Sequence, residues 1–264
     1  MNETSLTQPN SASALSLHGK TALIVGGSSG IGQAIAHGFQ ATGARVAIAA
    51  RTPEKLAEAT QRLQQGNPDA RGYATDVSQT EGIDRLVTSV LADFGHVDVL
   101  VVCQGTTVLK PAEDVTPAEY DEVMHTNLRS VFFTCTRLGR HMLERRTGSI
   151  ITIASLAAHR GWPLASVYAA SKHGVAGLTK TLAAEWADRG VRVNAISPGF
   201  FLTELNQSKM SPKRKENALL RTPTGRFGQV DELVGAAVYL ASPAAGFVTG
   251  TVLNVDGGYL ASGI

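Results

Sequence analysis

Short apolar runs alternate along this chain with longer stretches in which apolar residues recur every three to four positions. The first kind, closed by glycine or small polar residues, reads as strands; the second reads as amphipathic helices. Residues 21–25 and 45–50 are almost wholly apolar, the pattern of strands buried on both faces of a parallel sheet. Residues 71–75, 98–102, 149–155, 191–196 and 251–255 are predicted as further strands. Helical periodicity runs through Ala34, Ile35, Ala36 and Phe39 to Gly43, and a second helix opens at Pro53. More helices are predicted over 79–94, over 117–146 with Thr116 as cap, and over 166–188. Asn127 falls inside the 117–146 stretch, where propensity disfavours it, so its presence needs a reason.

Strands that alternate with helices in this way predict an α/β fold: a single Rossmann-type doubly wound domain, with a seven-stranded parallel sheet flanked by helices. Ligands of such sheets sit outside the carboxyl ends of the strands, where the strand order reverses. Candidate chemistry collects at those ends. Gly26-Gly27-Ser28-Ser29-Gly30-Ile31-Gly32 joins the first strand to the first helix. Glycines in that context permit a tight turn, close approach of the backbone to a pyrophosphate, and exposure of helix N-terminal N–H groups to its charge. At the end of the second strand Ala50 offers no carboxylate for a ribose 2′-hydroxyl, whereas Arg51 offers a guanidinium suited to a 2′-phosphate. NADP(H) is therefore favoured over NAD(H). Asp76-Val77 closes the third strand, where the carboxylate can accept from an adenine amino group, cap the following helix, or both. Gln104-Gly105 closes the fourth.

Tyr168-Ala169-Ala170-Ser171-Lys172 places a phenol and an ammonium one helical turn apart. A fixed ammonium favours the phenolate and makes a tyrosine usable for acid–base chemistry near neutrality. Taken alone, such a pair is more often a contact on a helix surface. Ser155, at the carboxyl end of the fifth strand, falls on the face where the cofactor is expected.

Composition changes this picture little. A chain of 264 residues with 43% hydrophobic and 17% charged residues fits one large globular domain. A net charge of +2 supplies no footprint for nucleic acid. Lys209, Lys213, Arg214 and Lys215 read as a solvated helix face. Cys103 and Cys135 have no zinc spacing and require no disulfide; no metal is expected, and Cys103 reads as a small core filler. The two cysteines make a reduced, cytoplasmic setting the default. Residues 1–16 are polar, without the apolar core of a signal peptide, and read as a flexible tail ahead of a domain over 17–264. No apolar run is long enough to cross a membrane.

Together these residues resemble the short-chain dehydrogenase/reductase family, from about Leu17 to the C-terminus. The resemblance rests on the glycine turn, Asp76-Val77, Asn127, Ser155, Tyr168 to Lys172, Asn194 and Pro198-Gly199 in that order and spacing. It implies a catalytic tetrad of Asn127, Ser155, Tyr168 and Lys172. In that scheme Tyr168 exchanges the substrate proton and Ser155 holds the substrate oxygen. Lys172 lowers the phenol pKa and binds the nicotinamide ribose, and Asn127 holds a proton-relaying water. The resemblance further implies cofactor contacts from Val102, Gln104, Gly105, Pro198, Gly199, Phe201 and Thr203, and a homotetramer. Two positions depart from the family pattern: Val25 replaces a threonine, and Val102-Cys103-Gln104-Gly105 replaces Asn-Asn-Ala-Gly. The family asparagine braces neighbouring strands, so something else must take over from Val102. The segment after Pro198 and the stretch Arg221 to Gly228 are similar to gluconate 5-dehydrogenases. Bacterial 3-oxoacyl-carrier-protein reductases share much of the framework and are the alternative, followed by a non-catalytic dinucleotide-binding scaffold. Residues 201–221 are expected to cover the substrate. His159, Arg160 and Trp162, on the loop before Tyr168, and Phe200 are expected to line its pocket, with Arg160 or another cation, if not merely surface-paired, meeting a sugar-acid carboxylate.

Overall fold

The apolar run Thr21–Val25 sends alternate side chains to opposite sides of one sheet. Leu23 and Val25 enter one core, Ala22 and Ile24 the other. A strand with no polar face is stable only between two covering layers, and the computed structural model of the chain has that architecture. The structure describes residues 14–201, 203 and 210–262. Most of the 1–16 tail, and residues 202 and 204–209 of the expected substrate cover, lie outside the described residues.

In chain order the strands are β1 (Thr21–Val25), β2 (Arg45–Ala50), β3 (Arg71–Ala74), β4 (Val99–Val102), β5 (Gly148–Ile153), β6 (Val191–Pro198) and β7 (Val252–Val255). The described helices are α1 (Gly30–Ala41), α2 (Pro53–Gly66), α3 (Thr80–Phe94), α4 (Pro117–Met124), α5 (Ser130–Arg145), α6 (Ser166–Trp186), α7 (Pro212–Leu220) and α8 (Val234–Ala241). All strand pairs are parallel, in the order β3-β2-β1-β4-β5-β6-β7. On one side α3, α5 and α6 contribute Ile83, Leu86, Leu138, Met142, Val175 and Trp186 to the core. On the other, α1, α2 and α8 contribute Ile35, Phe39, Leu56, Leu63 and Leu240. Asp98 pins three elements at the amino end of the sheet: its carboxylate accepts from the Thr21 N–H at 3.0 Å and from the Arg145 guanidinium at 2.9 Å. Among the described residues no helix is long and apolar enough to cross a membrane.

Three departures from the sequence reading bear on function. The helix predicted over 117–146 is two helices joined by a π-helical turn, His125–Arg129, with Asn127 fully buried at its centre. The strand predicted over 149–155 stops at Ile153, so Ser155 lies in a turn, where its Oγ accepts from the Ala157 N–H at 3.2 Å. Arg214 and Lys215 are half-buried on α7, not on a solvated face, because they lie one turn before the buried Ala218; Lys213 is exposed, and Lys209 lies outside the described residues. Elsewhere the boundaries shift by a residue or two: β6 runs on to Pro198, and α6 ends at Trp186 in a short 3-10 turn.

Candidate active site

The strand order reverses between β1 and β4, and the turns leaving these two strands meet there. Gly26 has φ +82°, and a Cβ on it would stand 2.8 Å from the Gln104 backbone nitrogen. A Cβ on Gly32 would overlap the Gly26 carbonyl oxygen at 2.2 Å, so only glycine lets α1 pack onto the turn that precedes it. Ser29 occupies the N-cap position of α1 without a side-chain cap hydrogen bond, and the first turn carries no acidic residue. The amide groups of that turn and the positive end of the helix are thus available to an anion. Ile31 packs on the α1 side of the sheet. Thr203 reaches back over this turn, its Cγ2 standing 3.8 Å from the place of a Gly30 Cβ.

At the end of β2, Arg51 is exposed and has no carboxylate partner among the described residues. Asp76 is exposed and its Oδ1 accepts from the Ser78 N–H at 3.0 Å, so it shapes the turn, while Gln79 occupies the cap position of α3. Val77 packs against the core beneath. These residues, with the uncapped start of α1, form a cradle that fits a dinucleotide diphosphate.

Farther along the crevice the chain brings its polar residues together. Asn127 is held at both ends: Oδ1 accepts from the Thr106 N–H at 2.8 Å, and Nδ2 donates to the Thr106 carbonyl at 2.9 Å and the Ser171 hydroxyl at 3.1 Å. Ser171 in turn donates to the Tyr168 carbonyl at 2.7 Å. The Ser155 side chain lies beside the Tyr168 phenol. Burial pushes that phenol up, and the Ser155 hydroxyl partly offsets the rise. Lys172 is buried, with Nζ donating to the Ile153 carbonyl at 2.8 Å and lying 5.8 Å from the Tyr168 ring centroid. Burial pulls its ammonium down to about 8. Gly105 joins the group, because a Cβ there would lie 3.5 Å from Asn127 Oδ1 and 3.7 Å from Lys172 Nζ.

The replaced family motif is accommodated by side-chain bonding. Val102 is buried between Val25 and Thr152. Gln104 Nε2 donates to Ser130 Oγ at 2.8 Å, and Ser130 donates to the Thr126 carbonyl at 2.6 Å, tying the β4 exit to the π-turn. Cys103 packs with the α1-side core, and burial pushes its thiol up to about 12, the behaviour of a filler and not of a nucleophile.

Where the substrate pocket was expected, Trp162 packs against Phe200 at 5.7 Å and Tyr259 at 6.0 Å between ring centroids. Arg160 stands over the Tyr259 ring at 5.7 Å. His159 is exposed and lies instead among His173, Lys180 and Asp256. Gly199 bonds to the Val255 carbonyl, and Phe201 is buried in a bridge to Gly228, which fixes the start of the cover. Sequence reasoning missed Tyr259, Phe227 and the half-buried position of Arg214. Tyr259 follows Asp256-Gly257-Gly258 at the carboxyl end of the last strand, so the rule that located the other residues would have found it.

A family model described as enoyl-(acyl carrier protein) reductase matches residues 25–260. The chain is 41% identical to D-threitol dehydrogenase of Mycolicibacterium smegmatis, over 92% of this chain and 94% of that one. It is 42% identical to 2-dehydro-3-deoxy-D-gluconate 5-dehydrogenase of Bacillus subtilis, over 94% and 97% respectively. Among solved structures, a gluconate 5-dehydrogenase from Burkholderia cenocepacia in complex with NADP and tartrate superposes with a TM-score of 0.92, at 36% identity, covering 96% of this chain and 99% of that one. The chain belongs to the short-chain dehydrogenase/reductase family, as an NAD(P)-dependent oxidoreductase acting on CH–OH groups.

Proposed function

We propose that the chain is an NADP(H)-dependent enzyme that interconverts a secondary alcohol and a ketone on an open-chain sugar acid of the gluconate/5-ketogluconate type. The observation that carries this reading is the Ser155 hydroxyl set beside the Tyr168 phenol, with the buried Lys172 next to them, at the carboxyl end of the strands next to the glycine turn. The bound nicotinamide supplies or takes up the hydride. Ser155 holds the substrate oxygen, and Tyr168 exchanges the proton on it. A phenol raised by burial is protonated at neutral pH, the form that donates to a ketone oxygen; alcohol oxidation requires the phenolate. Lys172 is charged at neutral pH and favours that phenolate while reaching the cofactor ribose. Asn127, fixed by the Thr106 backbone, positions a relay water. Support for NADP(H) over NAD(H) comes from Arg51, exposed at the end of β2 where a ribose 2′-phosphate would lie. The active form is a homotetramer, in keeping with the closed symmetry usual among oligomeric enzymes.

Tyr168→Phe tests the assignment. It removes only the phenolic oxygen, so NADPH affinity measured by fluorescence titration stays within about twofold, while kcat falls by roughly a hundredfold to ten-thousandfold. Turnover comparable to the parent enzyme would refute the role given to Tyr168. A screen of sugar acids, polyols and acyl thioesters tests the substrate, and a preference for an acyl thioester would replace the sugar-acid reading with that of a carrier-protein reductase.

A further inference from the structure

The turn that leads into α6 carries a leucine at a position that suits glycine. The Ala165 N–H donates to the Trp162 carbonyl at 3.1 Å, closing a β-turn with Pro163 second and Leu164 third. Leu164 has φ +66°, the left-handed conformation that glycine or asparagine normally supplies at the third place of such a turn. A leucine there is strained, because its Cβ crowds the following carbonyl oxygen. Its side chain is 52% exposed, so burial does not hold it in that state. Ala165, the cap residue of α6, offers no side-chain cap. Local preference therefore fixes neither the turn nor the start of the helix, and Tyr168 is the third residue of that helix.

The turn is held from outside. On one side Trp162 packs on Phe200 and Tyr259. On the other, the Lys110 N–H donates to the Leu164 carbonyl at 2.8 Å. Lys110 belongs to the loop between β4 and α4 and is itself tied down. Its ammonium lies 2.7 Å from the Glu119 carboxylate and donates to the Asp114 carbonyl at 3.3 Å. Glu119, the third residue of α4, also accepts from the Thr116 N–H at 2.9 Å and the Thr116 hydroxyl at 2.8 Å, completing a capping box. An isolated pair at this exposure would contribute little, since two long side chains must be ordered to form it. Here the cap has already fixed the carboxylate, and the ammonium meets an oriented partner. Direct contacts thus run from Glu119 through Lys110 to Leu164, at the threshold of the helix that carries Tyr168.

We propose that Lys110 and Glu119 are positioning residues for Tyr168. Anchored by the ion pair, the Lys110 N–H keeps Leu164 left-handed, and the turn in that state sets where the phenol stands relative to Ser155 and Lys172. Both residues act through the backbone of the turn, not through contact with the reacting atoms. The proposal rests on the proton-transfer role given to Tyr168 and deepens it. Displacements of the order of an ångström at a proton donor are costly to the rate, which is why a distant anchor would matter.

Glu119→Gln keeps the shape of the cap and removes its charge, while Lys110→Met keeps the length and removes the ammonium. Each is assayed with NADPH and 5-ketogluconate, or with a 3-oxoacyl thioester if the parent reduces only that, and amide hydrogen exchange is followed in the NADP-bound protein. In both variants kcat is expected to fall by roughly tenfold to a hundredfold, with the KM for the ketone and the NADPH affinity within about twofold of the parent. The Ala165 and Ala169 amides exchange about tenfold faster, and those of β5 keep their protection. Lys110→Arg, which still reaches the carboxylate with a charge, recovers most of the rate. Leu164→Asn gives the decisive arm. Asparagine tolerates the left-handed conformation, so in that background Lys110→Met lowers kcat by no more than about twofold. Loss of the ion pair as a merely structural contact would not be repaired there, since the asparagine restores none of its bonds. Unchanged kcat in both variants, NADPH affinity lost in step with kcat, unchanged exchange at Ala165 and Ala169, or an undiminished loss in the Leu164→Asn background overturns the proposal. Tyr168→Phe that turns over like the parent overturns the reading of Tyr168 itself, and faster exchange then leaves the pair as an anchor of the turn alone.

Discussion

Single residues in this site act through the atoms they place at strand ends, and Arg51 has the clearest separable effect. It is exposed, unpaired among the described residues, and apart from the Ser155–Tyr168 centre. Removing it takes away charge-assisted hydrogen bonds to a 2′-phosphate, each worth about 1.5–3 kcal/mol where well formed and less at an exposed position. Arg51→Ala is therefore expected to raise the KM for NADPH roughly tenfold, with little change in kcat and little effect on NADH kinetics. A KM for NADPH that does not move would remove the basis for preferring NADP(H). The role proposed for Arg51 could be read from the sequence because it follows from position alone. The electrostatics of Tyr168 and Lys172 were not, because they depend on burial that no spacing reveals. The sequence predicted a phenol lowered by its lysine neighbour; in the fold, burial pushes the phenol up and the lysine down, and Ser155 is the group that offsets the phenol's rise.

At the scale of elements, the predicted helix over 117–146 shows where periodicity loses information. A π-turn inserts one residue without disturbing the apolar pattern on either side, so α4, the turn and α5 read as one helix. The buried Asn127 was the visible sign, since its amide can be satisfied only where the helical ladder is interrupted and Thr106 comes alongside. Most strands were legible to within a residue or two because they are largely apolar on both faces; β3, an exposed edge strand, was placed mainly by the turn that follows it. The loss of the family asparagine at Val102 leaves the β4 exit dependent on Gln104 and Ser130. Gln104→Ala should cost about 1 kcal/mol, and Ser130→Ala somewhat more, since it also frees the part-buried Thr126 carbonyl. A double-mutant cycle followed by urea denaturation should give a coupling of about 1 kcal/mol between the two. Strict additivity would mean that the contact is not the brace.

Over the whole molecule, the parallel sheet turns every strand end toward one edge, and this is why a candidate site dispersed over more than 200 positions of sequence could be put together before its geometry was known. What the sheet cannot specify is the cover and the C-terminal turn, whose conformation is set by packing between distant segments; Tyr259 and Arg214 were accordingly missed. Gathering function at this edge also puts a charged group into the interior. Burial takes Lys172 from the ordinary lysine value down to about 8, a penalty on the charged form of roughly 3 kcal/mol. The sign follows from proton counting: between about 8 and the ordinary lysine value the unfolded chain binds more protons than the folded one, so stability rises with pH across that window. Below pH 8 the full penalty applies. Lys172→Met removes the charge, keeps much of the volume, and leaves the Ile153 carbonyl without its donor, a loss of about 1 kcal/mol. The net expectation at pH 7 is an inactive protein more stable than its parent by about 2 kcal/mol, read from the midpoint of urea denaturation without cofactor. That advantage should shrink as pH rises from 8 toward 10, because the parent gains stability there and the variant does not. A variant less stable than the parent at pH 7, or an advantage that does not change with pH, would show that Lys172 is held in the fold without the penalty its burial implies.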